Sequence, residues 1–528
     1  MSLQTQIVII GAGIAGLTMA IKLKKMGCSD FKIIETASEV GGTWRDNIYP
    51  GCSSDVPIHL YSLSSDLNPN WTHTHASQPD ILQYWVQLTT KYGLHSNIIF
   101  DHKVVSAEWN GSGYDILTQT GDGTRVLLTA KILVSAVGRL GVPRFPNIPG
   151  VAEFRGVSFH SGHWDTSVSL AGKRVAVVGN GPSATQFVPV ISQDLSVQIT
   201  QYCRSPRWLA PPAFSQYSSA QRWLFRHSPR YLRAFRSFQF FWNELVYFAI
   251  FGSNVANYFV EQYLTTYMKR VAPPEYMDNV IPSGSALKVG CKRVVYDTNY
   301  LASSARPNLS LTWESIESIH DSGIVTKSGR TEFDVIIYST GYIADDYFIS
   351  IKGNAGQLVA EYYVAQRGPT AYLGTTLPGF ANLFFISGGN TATGSSSVLL
   401  AIEIQAEYII QLIQPILTGD ISSLEVTIEA TDAYNRHIQA KLAGFVWSKC
   451  SSWYRTGGNG KIYATFPGPM TLFWWWLRRP NWDHYTFNSA AGWKPQRAVL
   501  GPYSIVLLGC LTWVVVAVSY LWLQRRGL

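Results

Sequence analysis

The hydrophobic pattern opens with a short apolar run, Ile7-Val8-Ile9-Ile10, that stops at a glycine. Continuous apolar residues bounded by a turn signal predict a strand buried on both faces. After Gly11-Ala12-Gly13-Ile14-Ala15-Gly16 the period becomes helical through Leu17 to Met26, and a second strand, Phe31 to Ile34, ends in Glu35. The rhythm recurs from Lys173. A strand reaches Val178, Gly179-Asn180-Gly181-Pro182-Ser183-Ala184 follows, a helix runs through Thr185 and Gln186 to Ile191, and a strand spans Val197 to Tyr202. Two β-α-β units of this kind predict an α/β fold with two Rossmann-like dinucleotide-binding domains.

Each glycine loop has a chemical reading. In the first, Gly11 permits the tight turn, Gly13 lets the backbone approach a pyrophosphate, and Gly16 lets helix and strand pack closely. The helix N-terminus offers N–H groups and positive dipole to phosphate. Glu35 lies 19 residues beyond Gly16, where a carboxylate accepts hydrogen bonds from ribose hydroxyls. The second loop ends differently: no acid closes its second strand, and Arg204-Ser205 follows instead. A guanidinium there suits a 2′-phosphate, which an acid would repel. The expected cofactors are therefore FAD at the first site and NADPH at the second. Ser135-Ala136-Val137-Gly138 and Ser339-Thr340-Gly341 each follow a short apolar strand and read as the crossings between the domains. The expected FAD domain comprises residues 1–150 and 335–480, with the NADP domain, 151–334, inserted between them. Residues 212–285 read as a helical insertion rich in large aromatics, either packed inward or presenting an apolar face to a membrane or a greasy substrate.

Composition narrows the class. Of 528 residues 46% are hydrophobic and only 14% charged, which excludes a disordered chain. The net charge of +8 is scattered without long basic runs, so no nucleic-acid partner is expected. Six cysteines form no CxxC and no zinc spacing, so neither a disulfide framework nor a metal site is expected, and a reducing compartment fits. His73 and His75 form an HxH pair that no Glu or Cys completes. The N-terminus lacks the pattern of a signal peptide. Residues 498–524 carry no charge. Within them 503–523, at a helical rise, spans about 31 Å, one hydrocarbon core. Lys494, Arg497, Arg525 and Arg526 flank it. The expectation is a linker over 481–502 and a single C-terminal transmembrane helix inserted as a tail anchor. The catalytic part would then face the cytosol, on the endoplasmic reticulum. Leu472 to Arg479, with three consecutive tryptophans, reads equally as core or as bilayer surface.

Two further motifs carry a family resemblance. Phe154, Gly156, His160, Trp164 and Asp165 stand at the spacing FxGxxxHxxxW(P/D). Gly41-Gly42-Thr43-Trp44 runs through Tyr49-Pro50-Gly51 to Asp55 in a second signature. In both the chain resembles the Baeyer–Villiger monooxygenases, across about residues 5 to 465, and its apolar terminus resembles fungal pathway members of that family. The resemblance implies that NADPH reduces FAD, that a C4a-peroxyflavin forms with O2, and that a ketone becomes an ester or lactone. It implies that Arg293 stabilises negative charge and that Asp55 orients it. Lys292 would join Arg204 and Ser205 at the 2′-phosphate. Thr43, Trp44 and Tyr61 would contact FAD, Val104 its adenine and Val398 its isoalloxazine. His160 would belong to the interdomain hinge. Trp453-Tyr454 would lie near the substrate entrance, and Arg455 has no assigned role. A lipophilic ketone of secondary metabolism is the expected substrate. The alternative is a flavin monooxygenase that hydroxylates N, S or C. A disulfide reductase lacks its redox cysteine pair here, and an NADPH-sensing scaffold would not keep Arg293 and Asp55.

Overall fold

The structure, a computed structural model, describes residues 3–284, 287–489 and 493. The expected span 503–523 and its flanking charges lie outside the described residues. Two sheets carry the architecture. The first runs Ser350–Lys352, His102–Trp109, Tyr114–Thr120, Arg125–Ser135, Leu3–Ile10, Phe31–Ile34, Ile98–Ile99, with Leu383–Phe385 also on Arg125–Ser135. Leu3–Ile10 has parallel neighbours on both sides. Its side chains alternate between two cores: Ile7 and Ile9 enter one, Val8 and Ile10 the other. A strand with a core on each face needs no polar alternation, which explains the continuous apolar run.

The second sheet is wholly parallel, in the order Leu309–Thr312, Gln198–Tyr202, Arg174–Val178, Val335–Tyr338, Val157–His160. Val335–Tyr338 is an interior strand of it, paired on both sides, so the second unit extends past residue 334, where the chain was expected to have left it. Ser339-Thr340-Gly341 comes immediately after that strand.

The insertion is helical: Ser219–His227, Pro229–Tyr247 and Asn254–Val271. Serines start all three by accepting backbone N–H groups that have no partner within the helix: Ser218 from Gln221, Ser228 from Tyr231, Ser253 from Ala256. Among the described residues one helix, Val398–Leu417, is long and apolar enough to cross a membrane. Thirteen of its residues are buried inside the protein, so it serves as a core helix. The tryptophan-rich segment forms Met470–Leu477, which buries Phe473, Trp474 and Leu477 and leaves Trp475 outside.

Two further expectations are corrected. The start of the expected linker is not a linker: Tyr485–Ser489 pairs antiparallel with Ile421–Val426 and completes a two-stranded sheet. Although no disulfide framework was expected, Cys291 and Cys450 are bonded across 159 residues of sequence. Folding packs the loop after the insertion against the loop at 446–460, and no local spacing announces that.

Asn382 shows how the first unit is fastened. It is fully buried, donates to the carbonyls of Lys131 and Ser422, and accepts from the Leu424 N–H. Asn382→Leu would strand three backbone groups, each costing ~1–3 kcal/mol when buried and unpaired. The expected outcome is a lower midpoint of guanidinium unfolding, followed by circular dichroism.

Candidate functional site

Both glycine loops open onto helices whose ends no side chain caps: Ile14–Lys25 after Gly13 and Pro182–Ile191 after Gly181. Their first N–H groups are thus left for an anion. A Cβ on Gly16 would collide with the Gly11 carbonyl, so the turn closes only over glycine. Glu35 is buried at the end of its strand, where it accepts from the Ala12 N–H at 2.7 Å inside the first loop and pairs with Arg45 at 2.9 Å. It is therefore beside the loop. Thr43 and Trp44 begin the short helix Thr43–Asp46, and the Trp44 indole donates to the Tyr61 hydroxyl at 3.0 Å. Val104 is buried in His102–Trp109, next to a break in strand register at Val104/Ser106 that frees backbone groups from the ladder. Val398 opens the core helix and is 42% exposed. Before it, Thr393, Ser395, Ser396 and Ser397 carry buried hydroxyls without a protein partner. Buried polar atoms of that kind call for a ligand or water. Sequence reasoning missed this loop, although a serine run ahead of an apolar helix was visible.

The second loop faces cations. The Asn180 amide donates to the Ser205 carbonyl at 2.9 Å, and Lys292 Nζ donates to Ser205 Oγ at 2.5 Å. Burial, with Arg207 and Arg204 nearby, pushes the Lys292 ammonium down to about 8. Burial also lowers Arg207, whose Nε has no partner. Among the described residues none of these three cations pairs with a carboxylate. An anion bound among them would relieve the repulsion between the half-buried Arg207 and Lys292 and the exposed Arg204. Arg207 was missed by sequence reading, since only its burial distinguishes it.

Between the loops runs a seam. Gly51, at φ +78°, lies so close to the second helix that a Cβ would meet the Gln186 carbonyl at 2.7 Å. Tyr49 donates to Gln186 Oε1 at 2.9 Å, and Gln186 Nε2 donates to the Ser53 carbonyl at 3.0 Å. Here Asp55 takes Arg293 in a two-point pair, Nε to Oδ2 at 2.6 Å and Nη2 to Oδ1 at 2.8 Å. Asp55 raises the Arg293 guanidinium above its ordinary range. Among the described residues Nη1 makes no hydrogen bond, so one edge of the fork remains free to donate. Tyr61 and Tyr454, both buried, flank the pair, and burial pushes the Tyr61 phenol up to about 12.

The remaining signature is structural. His160, on Val157–His160, accepts the Gly162 N–H on Nδ1 at 3.0 Å, and burial pushes it down to about 4, so it is neutral at pH 7. Tyr342 packs on His160 and donates to Asn47 at 2.6 Å, tying this strand to the first unit. Gly156 leaves room for Phe154, and Trp164 packs on Phe187 of the second helix. Asp165 caps a turn through Ser167. Ser183 touches Tyr49, Ala184 is buried, and the Thr185 carbonyl accepts from Thr298. Arg455 donates to the carbonyls of Ser448, Cys450 and Gly460, holding together the loop that carries Trp453 and Tyr454. His73 and His75 have separate surroundings: His73 contacts Thr72, while His75 lies between Phe214 and Tyr296.

Known proteins resemble the chain along most of its length. Residues 8–211 match the pyridine nucleotide-disulphide oxidoreductase family. A Baeyer–Villiger monooxygenase of Pseudomonas aeruginosa is 35% identical over 476 residues, covering 88% of each chain. An FAD-binding monooxygenase of Aspergillus niger is 32% identical, over 92% of this chain and 82% of that one. In structure, cyclohexanone monooxygenase from Rhodococcus bound to NADP+ superposes with a TM-score of 0.80 at 24% identity, over 93% of this chain and all of the other. A second structure, OTEMO in complex with FAD and NADP, gives 0.80 at 22%, over 92% of this chain and 99% of that one.

The cation cluster yields a pH prediction. Lys292 is charged below about 8 in the free protein and neutral above it. A bound 2′-phosphate favours the charged form. Affinity for a 2′-phosphorylated dinucleotide is therefore full below pH 8 and falls above it, by up to about tenfold per pH unit as binding takes up one proton. Lys292→Met should weaken binding at pH 7 and flatten this slope, as read by fluorescence titration.

Proposed function

The chain belongs to the Baeyer–Villiger monooxygenases, and on that premise we propose that it uses FAD, NADPH and O2 to insert one oxygen atom beside a ketone carbonyl, giving an ester or lactone. The observation that carries this reading is the free edge of the Arg293 fork, held by Asp55 at the seam where the two glycine loops meet. FAD would be held by the Gly11–Gly16 loop, Glu35, Thr43, Trp44 and Tyr61, with Val104 and the serine loop before Val398 completing the site. NADPH would be held by the Gly179–Ala184 loop, Arg204, Ser205 and Lys292, with Arg207 added. The flavin, when bound, supplies the two-electron reduction of dioxygen.

The chain supplies the rest. Arg293 cannot lose its proton at working pH, so it offers permanent positive charge where oxygen becomes negative during attack on a carbonyl. Asp55 occupies one edge of the fork and fixes the direction of the other. Tyr61 and Tyr454 line the pair with buried rings, and Trp44 holds the Tyr61 hydroxyl. His160, uncharged, serves the hinge and moves no proton.

We further propose that the substrate is a lipophilic ketone. The supports are the uncharged stretch 498–524, read as a tail anchor, and the aromatic insertion.

Arg293→Ala should lower ester formation about 10²–10³-fold, the usual loss for one preorganised donor at a developing oxyanion. NADPH oxidation should continue, its electrons released as hydrogen peroxide. Gas chromatography of product against NADPH absorbance reads the ratio. Wild-type yield per NADPH in the variant would remove Arg293 from the mechanism.

A further inference from the structure

Three helices of the insertion leave one face open. On Pro229–Tyr247, Leu232, Phe240, Glu244 and Tyr247 are buried against the body. The opposite face runs Arg230, Ala234, Phe238, Trp242, Leu245 at helical spacing, all exposed. The helix turns at Phe248–Gly252 into Asn254–Val271, where Phe259 and Tyr263 are again outside. Eight large hydrophobics between residues 238 and 263 are exposed, and Trp242 (59%), Phe238 (61%) and Phe259 (67%) are mostly so. Scattered apolar residues on a surface are ordinary, but a group this dense around one turn marks a contact face.

Its charge is one-sided. Between residues 212 and 263 there are five arginines and two acids, Glu244 and Glu261. Glu244 is engaged inward: it accepts the N–H groups of Met470 and Thr471 at 3.0 and 3.1 Å and so caps the helix Met470–Leu477. That helix adds Trp475, 44% exposed, with the Arg478 guanidinium stacked 3.3 Å from its ring centre. Arg236 is engaged inward as well, with Glu403. Arg226, Arg230 and Arg233 remain on the outside.

We propose that this corner docks on the surface of an anionic phospholipid bilayer, with Arg226, Arg230 and Arg233 at the headgroups and the rings of Phe238, Trp242 and Phe259 in the interfacial layer. Basic residues beside tryptophan and phenylalanine on one amphipathic face suit that boundary. The proposal rests on the tail anchor proposed above and adds a second contact to it. The uncharged stretch begins nine residues after Ser489, the last residue of the strand that follows Met470–Leu477, the helix whose Trp475 joins the corner. A second copy of the chain would set the same arginines against each other across a two-fold axis, which like-charge repulsion opposes. The uncharged tail, folded back, would leave them without counter-charge.

The test uses the full-length protein in nanodiscs of phosphatidylcholine with phosphatidylserine, and in nanodiscs of phosphatidylcholine alone. Amide hydrogen exchange is read at 238–263, with Val398–Leu417 as internal reference. Exchange at the corner should be about tenfold slower over the anionic lipid, as the arginines require. The difference should vanish in Arg226→Gln/Arg230→Gln/Arg233→Gln and in Phe238→Ser/Trp242→Ser/Phe259→Ser, with the reference helix unchanged. Equal exchange in both nanodiscs would overturn the proposal while leaving the anchor intact. So would protection that appears only when two copies share a disc. Failure of the chain to co-elute with either nanodisc would overturn anchor and docking together.

Discussion

The structure turns on an ion pair that crosses a seam. Asp55 comes from the loop after the first glycine motif and Arg293 from the segment after the insertion, and they meet at 2.6 and 2.8 Å. The Arg293 side chain is 37% exposed, so the pair adds little to stability. Its consequence is positional. A guanidinium locked along one edge presents its other edge in one direction, and that direction is set by how the two units dock. Gly51 against the Gln186 carbonyl, Tyr49 on the Gln186 amide, and Tyr342 on Asn47 keep the seam narrow. The disulfide between Cys291 and Cys450 then ties the arginine segment to the loop bearing Trp453 and Tyr454.

The two nucleotide sites show how nearly identical backbones acquire different ligands. Both loops lead to uncapped helix ends. After the first comes a buried carboxylate, Glu35, bonded back into its own loop. After the second come Arg204, Arg207 and Lys292, close enough that burial and mutual repulsion move the lysine down to about 8. An acid suits ribose hydroxyls and repels a third phosphate; a cation cluster suits one. The two units thus differ in the charge placed at the end of the second strand.

Local pattern made part of this legible from the sequence. The glycine loops and the strands around them were readable because each β-α-β unit lies in some thirty consecutive residues with its own hydrophobic period. The second signature supplied Asp55 and the family resemblance Arg293, which no period or spacing connects, since 238 residues separate them. What escaped depends on tertiary packing. The apolar strand Val335–Tyr338 reads alike whichever sheet receives it. Arg207 and the serine loop before Val398 look like ordinary surface residues until their burial is known. The Cys291–Cys450 bond and the cap that Glu244 places on Met470–Leu477 join residues brought together only by the fold.

The central claim is that this seam serves insertion of oxygen beside a carbonyl. It is tested most directly with ¹⁸O₂. The purified protein, supplied with FAD and NADPH, is given a lipophilic ketone and a sulfide of similar size in competition, and the products are read by mass spectrometry. The account predicts an ester or lactone carrying one ¹⁸O atom at the inserted position, with the sulfide oxidised more slowly. Label found only in the sulfoxide, or only in hydrogen peroxide with the ketone untouched, would contradict it.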